Sequence, residues 1–591
     1  MKKSIRILAC ILAFSLAIPL FACDDSKNDK PIQDNGEETL AQADEESTEK
    51  ETAASNSTDK ATEVTENEST EETVEETVGE TVEETETNLI LGDEVEYAED
   101  FSVSKVFTDN MVLQRNEYIR VWGWADESEN GKKVSAEFLG LKADALIENG
   151  AWEIVFRQKL DANTALGNIL TVYAGDTFES FDDVLIGDVF MVIGQSNVQY
   201  SINEYLHYNP DPDWTYDDFN EDALIRFIYN SNTDNKGYPT RGTTEVCSDL
   251  ISGNVWEIPS TDNIARFSAL GYFFANDIID RTNNEIPIGI IQMSASGRPL
   301  CTFMPNELAD EYQSDFLDTD GIYKGNHHKD NAIARYMYNH YMYAYEKMPL
   351  AGIVWNQGEA ESHEDLSSVY VERFTALMTY MRDKHNLVNK EFPVFVVEFP
   401  TTYSKPEGYE GDWNQYLDTG RIRATMGMIP DSLPNSYIAV CSDLWDDETH
   451  ENNIHPYCKL EQASRVADLA QAVMYSGKTL DEATGPILVS IEKNSGNTVF
   501  TLKFTNYGEG LTTADGGTIV NGIVAISKKN TVYTNCNVTA EITDVDTITV
   551  TTSKASAGIA YNCITGNFYG DEINLCDSFG NPAKAFWHFD P

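Results

Sequence analysis

Between residues 183 and 478, compact apolar runs recur along the chain: "VFMVIG", "IPIGIIQM", "LAGIVW", "FPVFVVEF" and "SYIAVCSD". They are continuously apolar rather than alternating, the mark of strands buried on both faces. Several lead into stretches of helical period. "FSALGYFFANDIID" places Phe267, Leu270, Phe274 and Ile278 on one face, and "KLEQASRVADLAQAVMY" gathers Leu460, Ala463, Ala467, Ala470 and Val473. Buried strands alternating with helices predict an α/β domain over 183–478, a parallel sheet flanked by helices on both sides. In such sheets a ligand sits beyond the carboxyl ends of the strands.

The flanks read differently. Residues 100–182 carry short strands such as "NEYIRVWGWA" and "ADALIENGAWEIVF", separated by turn residues, and predict an N-terminal β-sandwich-like segment. Residues 479–591, with "TVFTLKFTN" and "AEITDVDTITVTT", predict a C-terminal β segment. At the other end, Lys2, Lys3 and Arg6 precede an apolar stretch from Ile7 to Phe21, which reads as an export signal over 1–22 rather than a spanning helix. The closing "LFAC" resembles the bacterial lipobox, with Cys23 as the lipidated residue. Residues 23–99 read as a disordered acidic tether rich in Thr and Glu. From Asp24 to Asn88 there are 23 acidic residues against 4 lysines, a net charge of −19 over 65 residues with almost nothing aromatic to bury. These features predict an extracellular protein, held to the membrane through its N-terminal lipid only.

The whole chain carries a formal charge of −57, and residues 89–591 account for −41 of it. So acidic a body excludes nucleic acid as a partner, since that needs a basic footprint. The seven cysteines beyond Cys23 are odd in number and lack metal-type spacing, which argues against a disulfide framework while leaving open one pair among Cys536, Cys563 and Cys576. His327-His328 has no partner at ligand spacing, so no metal and no cofactor is expected.

Four polar sites follow strand ends: Gln195-Ser196-Asn197 after "VFMVIG", Ser296-Gly297-Arg298 after "IGIIQM", Gln357-Gly358-Glu359 after "LAGIVWN", and His455 after "YIAVCSD". Ester cleavage needs such groups. A serine hydroxyl becomes a nucleophile when a histidine takes its proton. The oxyanion that forms needs fixed N–H donors. Singly, each has a plainer reading: Ser196 as a helix cap, Gly297 as a turn, Gln357 as a core amide, His455 as a loop residue. Trp355 reads as core.

Together these motifs resemble the sialate O-acetylesterase-like SGNH hydrolases, the carbohydrate acetylesterase family. "GDVFMVIGQSN" is similar to the family's GDVW…SGQSN pattern, "WNQGEAE" to its W-Y/H-Q-G-E, and "IHPYCK" to its D-I-H-P-x-x-K. In "PIGIIQMSASGRPL", Ser296-Gly297 stands where the family usually has two glycines. The resemblance spans roughly residues 100–591 and implies an SGNH-type parallel sheet with Ser196 as nucleophile and His455 as general base. It implies an oxyanion hole built from Ser196 N–H, Gly297 N–H and Gln357. Asn452 and Asn453 stand where the family's acid is expected, so Glu359 is the first candidate for the third catalytic member, with Asp447 and Glu451 behind it. Arg298 and Asn197 are candidates for substrate binding, Arg298 through a sugar carboxylate.

The expected function is a serine esterase removing O-acetyl groups from carbohydrate, sialic acid esters foremost, through an acetyl-enzyme. Acetylated xylan or another polysaccharide is the alternative substrate. A weakened esterase retained as a carbohydrate-binding protein is the alternative from another class.

Overall fold

The computed structural model describes residues 87–591, apart from 232–243, 252, 314–333, 364–365, 399–412, 445–454, 530–531, 564–572 and 590–591. Cys23, the signal and the tether up to residue 86 lie outside the described residues, as do His327, His328, Asp447, Glu451, Asn452 and Asn453.

The N-terminal segment holds β1 (Ser102–Val103), β2 (Val112–Gln114), β3 (Ile119–Trp124), β4 (Lys133–Phe138), β5 (Leu141–Leu146), β6 (Ala151–Phe156), β7 (Leu170–Ala174) and β8 (Thr177–Phe181). Two antiparallel sheets form, ordered β1-β3-β6 and β5-β4-β7-β8. Alternation decides what goes inside: Trp152, Ile154 and Phe156 of β6 are buried, while the residues between them are not. Residues 87–99, assigned by composition to the tether, lie against this segment. Leu91 N–H donates to Asp144 at 2.7 Å, Ala98 N–H donates to the Lys133 carbonyl at 3.1 Å, and Ala98 is buried. The packed chain therefore starts earlier than the charge pattern suggests.

The α/β domain is built on β9 (Leu185–Gly194), β10 (Ile225–Ser231), β11 (Ile288–Ser294), β12 (Gly352–Asn356), β13 (Val394–Val397) and β14 (Ser436–Ala439). Their order is β10-β11-β9-β12-β13-β14, all parallel. The expected parallel sheet is thus present, and all ten residues of β9 are buried. One face packs Phe190, Val192 and Val354 against the helices Ala269–Arg281 and Lys459–Met474. The other packs Met191, Ile193 and Trp355 against the helix Ser367–His385 through Phe374 and Leu377. At the start of β9 the N-terminal segment adds a strand of its own: β2 pairs in parallel with it, Val112 opposite Leu185 and Gln114 opposite Gly187. Beside this junction Asp188 accepts two bonds from the Arg115 guanidinium, at 2.9 and 3.0 Å, and one from Tyr475 at 2.7 Å.

In the C-terminal segment, one sheet orders Ile487–Lys493, Val499–Thr505, Thr547–Thr552 and Val538–Asp544; the other orders Val532–Asn535, Ile523–Lys529, Gly558–Tyr561 and Phe586–Phe589. Phe500, Leu502, Ile548 and Val550 meet Ile559 and Tyr561 between them. This segment rests on the α/β domain, where the buried Arg423 donates to the Asn562 carbonyl at 2.7 Å. All seven described cysteines are free thiols, and all are buried.

Candidate active site

β9 ends where glycine is required. A Cβ on Gly194 would stand 2.0 Å from the Asn356 carbonyl oxygen at the end of β12 and 2.6 Å from a methyl of Val198. The close approach is real bonding, since Gln195 N–H donates to that same carbonyl at 3.3 Å. The chain then turns at once into a short helix, α1 (Ser196–Gln199), closed by Tyr200 N–H on the Ser196 carbonyl at 2.8 Å. Ser196 is its first residue, so its N–H has no acceptor within the helix. Next follows α2 (Ile202–Tyr208), opened by a reciprocal cap: Glu204 N–H donates to Ser201 Oγ at 3.2 Å, and the Glu204 carboxylate accepts from Ser201 N–H at 2.8 Å.

Above these strand ends lies a cavity of about 350 Å³. Ser196 and His455 both line it, together with Gln199, Tyr200, Ser201 and Glu204 from the turn after β9, Tyr229 from β10, Arg266, and Ser296 from the loop after β11. Two of the four strand-end motifs thus put a reactive side chain into one space, and a third contributes Ser296. The neighbouring Gly297 has φ +62°, a left-handed conformation that glycine takes without strain. The His455 ring lies 6.4 Å from that of Tyr200, centroid to centroid. Burial holds its imidazolium below the usual histidine value, and the positive charge of Lys459 adds to the effect; Glu204 opposes both. At neutral pH the ring is therefore a neutral base.

Other expected site residues do not line the cavity. Gln357 is fully buried, and its Nε2 donates to Glu361 Oε2 at 2.6 Å and to the Arg298 carbonyl at 3.2 Å. Both amide hydrogens are committed, so in this arrangement Gln357 braces two loops and offers no donor to an oxyanion. Asn197 is buried, its Oδ1 accepting from Lys459 and its Nδ2 donating to Glu359 at 2.5 Å, so it does not reach a substrate as it stands. Glu359 is itself buried and bonded to Asn197. The carboxylate whose field reaches His455, among the described residues, is Glu204. Arg298 contributes its carbonyl to Gln357, and the cavity's cation is Arg266, which is held by Glu257.

Beneath the loop after β12 runs a buried polar network. Trp355 Nε1 donates to Tyr370 Oη at 3.1 Å, Tyr370 donates to the Gln357 carbonyl at 2.7 Å, and Glu361 accepts from Gln357 and, at 2.5 Å, from Leu300 N–H. Burial pushes the Glu361 carboxyl up to about 7, its hydrogen bonds opposing.

The fold and the strand-end serine define a class, an SGNH-type α/β domain carrying flanking β segments. Residues 186–455 match the family described as "Carbohydrate esterase, sialic acid-specific acetylesterase". Sialate O-acetylesterase of Pongo abelii is 26% identical over 353 residues, 55% of this chain and 62% of that protein; the Homo sapiens protein is 25% identical over 351 residues, with the same shares. The chain thus matches somewhat under two thirds of the length of these curated relatives. The crystal structure of a carbohydrate acetylesterase from Xanthomonas citri superposes with a TM-score of 0.64 at 22% identity, over 82% of this chain and 99% of that one, a likeness of fold. Over residues 186–455 the chain is thus similar to the carbohydrate esterases of the sialic acid-specific acetylesterase family.

Proposed function

We propose that the protein is a serine esterase that removes O-acetyl groups from carbohydrate through an acetyl-enzyme. The observation that carries this reading is the shared cavity of Ser196 and His455. Ser196 Oγ attacks the acetyl carbonyl carbon while His455 takes its proton. The oxyanion forms against the N–H groups of Ser196 and Gly297. His455 then protonates the departing sugar oxygen, and the C–O bond breaks. Water, deprotonated by the same ring, attacks the acetyl-Ser196 ester and frees acetate and the hydroxyl. The low basicity of a buried imidazole suits a group that must both accept and return a proton.

An O-acetylated sialic acid is the preferred substrate. The curated relatives are named for it, and Arg266 gives the cavity a cation that a sugar carboxylate can pair with. The "LFAC" motif supports anchoring outside the cell through a lipid on Cys23; labelled fatty acid incorporated into the wild type and absent from Cys23→Ala would bear this out.

Acetate release is the test of activity. A chromogenic acetyl ester should be cleaved by the wild type and not by Ser196→Ala; a wild type that cleaves none of the acetyl esters offered would overturn the reading. For specificity, Arg266→Gln should raise KM several-fold for O-acetyl sialosides and leave acetylated neutral xylans unchanged. An equal effect on both would remove the assignment to Arg266.

A further inference from the structure

We infer that Lys459 is the positioning residue of this site, its buried ammonium tying the nucleophile turn, the loop after β12 and the helix that follows His455 into one unit. The inference rests on the esterase reading for its catalytic consequence but not for its geometry. Lys459 Nζ donates to Asn197 Oδ1 at 2.8 Å and to Gln462 Oε1 at 3.2 Å, and lies 5.2 Å from the centre of the Tyr200 ring. Asn197 passes the contact on, its Nδ2 donating to Glu359 Oε1 at 2.5 Å. Lys459 has no exposed surface and Asn197 is 2% exposed.

A buried ammonium is expensive unless paired and bonded. Here the opposite charge is Glu359, and the amide of Asn197 lies between the two. Only one orientation of that amide satisfies both neighbours, oxygen toward the ammonium and nitrogen toward the carboxylate. The residue after the nucleophile is thereby fixed from two sides, and Ser196 with it. The helix Lys459–Met474 begins at this lysine, four residues after His455, so the clamp also sets where the imidazole-bearing segment ends.

The same charge acts on His455. Tyr200 lies beside that ring, and the charges of Lys459 and of Glu204 from α2 reach it; Lys459 lowers the imidazolium and Glu204 raises it. Lys459 is itself brought down to about 8, chiefly by burial, against Cys458, Glu359, Cys441 and Glu204, which hold it up.

The test is an NMR titration of the His455 ring, read beside kcat/KM. Lys459→Met should move the His455 titration, and the acid limb of kcat/KM, to higher pH, and lower kcat by about 100-fold through loss of alignment. Glu204→Gln should move both to lower pH. In the wild type, the His455 resonances should show a second step near pH 8, as Lys459 loses its proton. A folded Lys459→Met protein with an unmoved His455 titration would overturn the inference. Should that variant fail to fold, a wild-type ring with no second step would overturn it equally. Because the titration needs no turnover, a protein without esterase activity would refute the proposed function and leave this inference standing or falling by its own measurement.

Discussion

Two polar clusters stand within a few residues of each other at the strand ends, and they are built on opposite principles. In the cavity, Ser196, His455, Arg266 and Ser296 border open space. Beneath the loop after β12, Trp355, Gln357, Glu361 and Tyr370 are buried and spend their hydrogen bonds on one another. Open polar groups can meet a substrate. Fully bonded buried ones are a support whose loss is felt as instability. A motif does not say which kind it belongs to: Gln357 comes from a strand-end motif as much as Ser196 does, yet it sits in the support.

Substitutions can break this division. Ser196→Ala should cost about 10⁴-fold or more in kcat while leaving the melting temperature unchanged, as removal of a nucleophile does. A large fall in Tm for Ser196→Ala would show that the cavity side also carries the fold. Glu361→Leu should do the reverse, costing about 3 kcal/mol by stranding the Leu300 N–H and the Gln357 amide; denaturant midpoints measure it, and a loss below about 0.5 kcal/mol would count against the network as a support. Tyr370→Phe removes one hydroxyl from it and should cost about 1–2 kcal/mol, with KM unaltered.

The pH dependence of stability sharpens the same contrast. The folded carboxyl of Glu361 sits near 7, above its value of 4.5 in an open chain. Its share of stability is therefore complete below about pH 4.5 and is lost as pH rises through 7. The buried His385, whose Nδ1 lies 2.8 Å from the Met348 carbonyl oxygen, is depressed to about 4 by burial. Its share is present above pH 6.5 and is lost as pH falls toward 4. Glu361→Gln should flatten the stability curve between pH 4.5 and 7 relative to the wild type, and His385→Gln should raise the slope's upward arm less steeply on the acid side. Parallel curves for variant and wild type would refute either assignment.

The strands with continuous apolar runs were readable because burial on both faces leaves no room for polar residues. β10 was not, and Arg226 and Asn230 are the reason. Both are buried in the strand; Arg226 pairs with Asp183 at 3.0 Å, and Asn230 accepts from Asn254 at 3.2 Å. Tertiary partners make such residues tolerable, and a linear pattern cannot show them. The helix Lys459–Met474 is a sharper case. Periodicity puts Leu460 and Val473 inside, and both are only partly buried, while Lys459 is fully enclosed. A hydropathy pattern cannot anticipate a buried lysine whose partners lie about 100 and 260 residues earlier in the chain. The meeting of Ser196 and His455 at one cavity was legible from their motifs. Glu204, Arg266 and Glu361 were not, since a carboxylate or guanidinium acquires a role only from what the fold sets beside it.

Because β2 completes the pairing of β9 at its first residues, the line between the leading β segment and the sheet is not a place to cut. A fragment beginning at residue 183 would expose the unpaired first residues of β9, the strand that ends at Gly194, two residues before Ser196. It should refold poorly alone and recover when a separate 87–182 peptide is added back. Selection on the leading segment would then be felt at the turn that carries Ser196, a strand's length away.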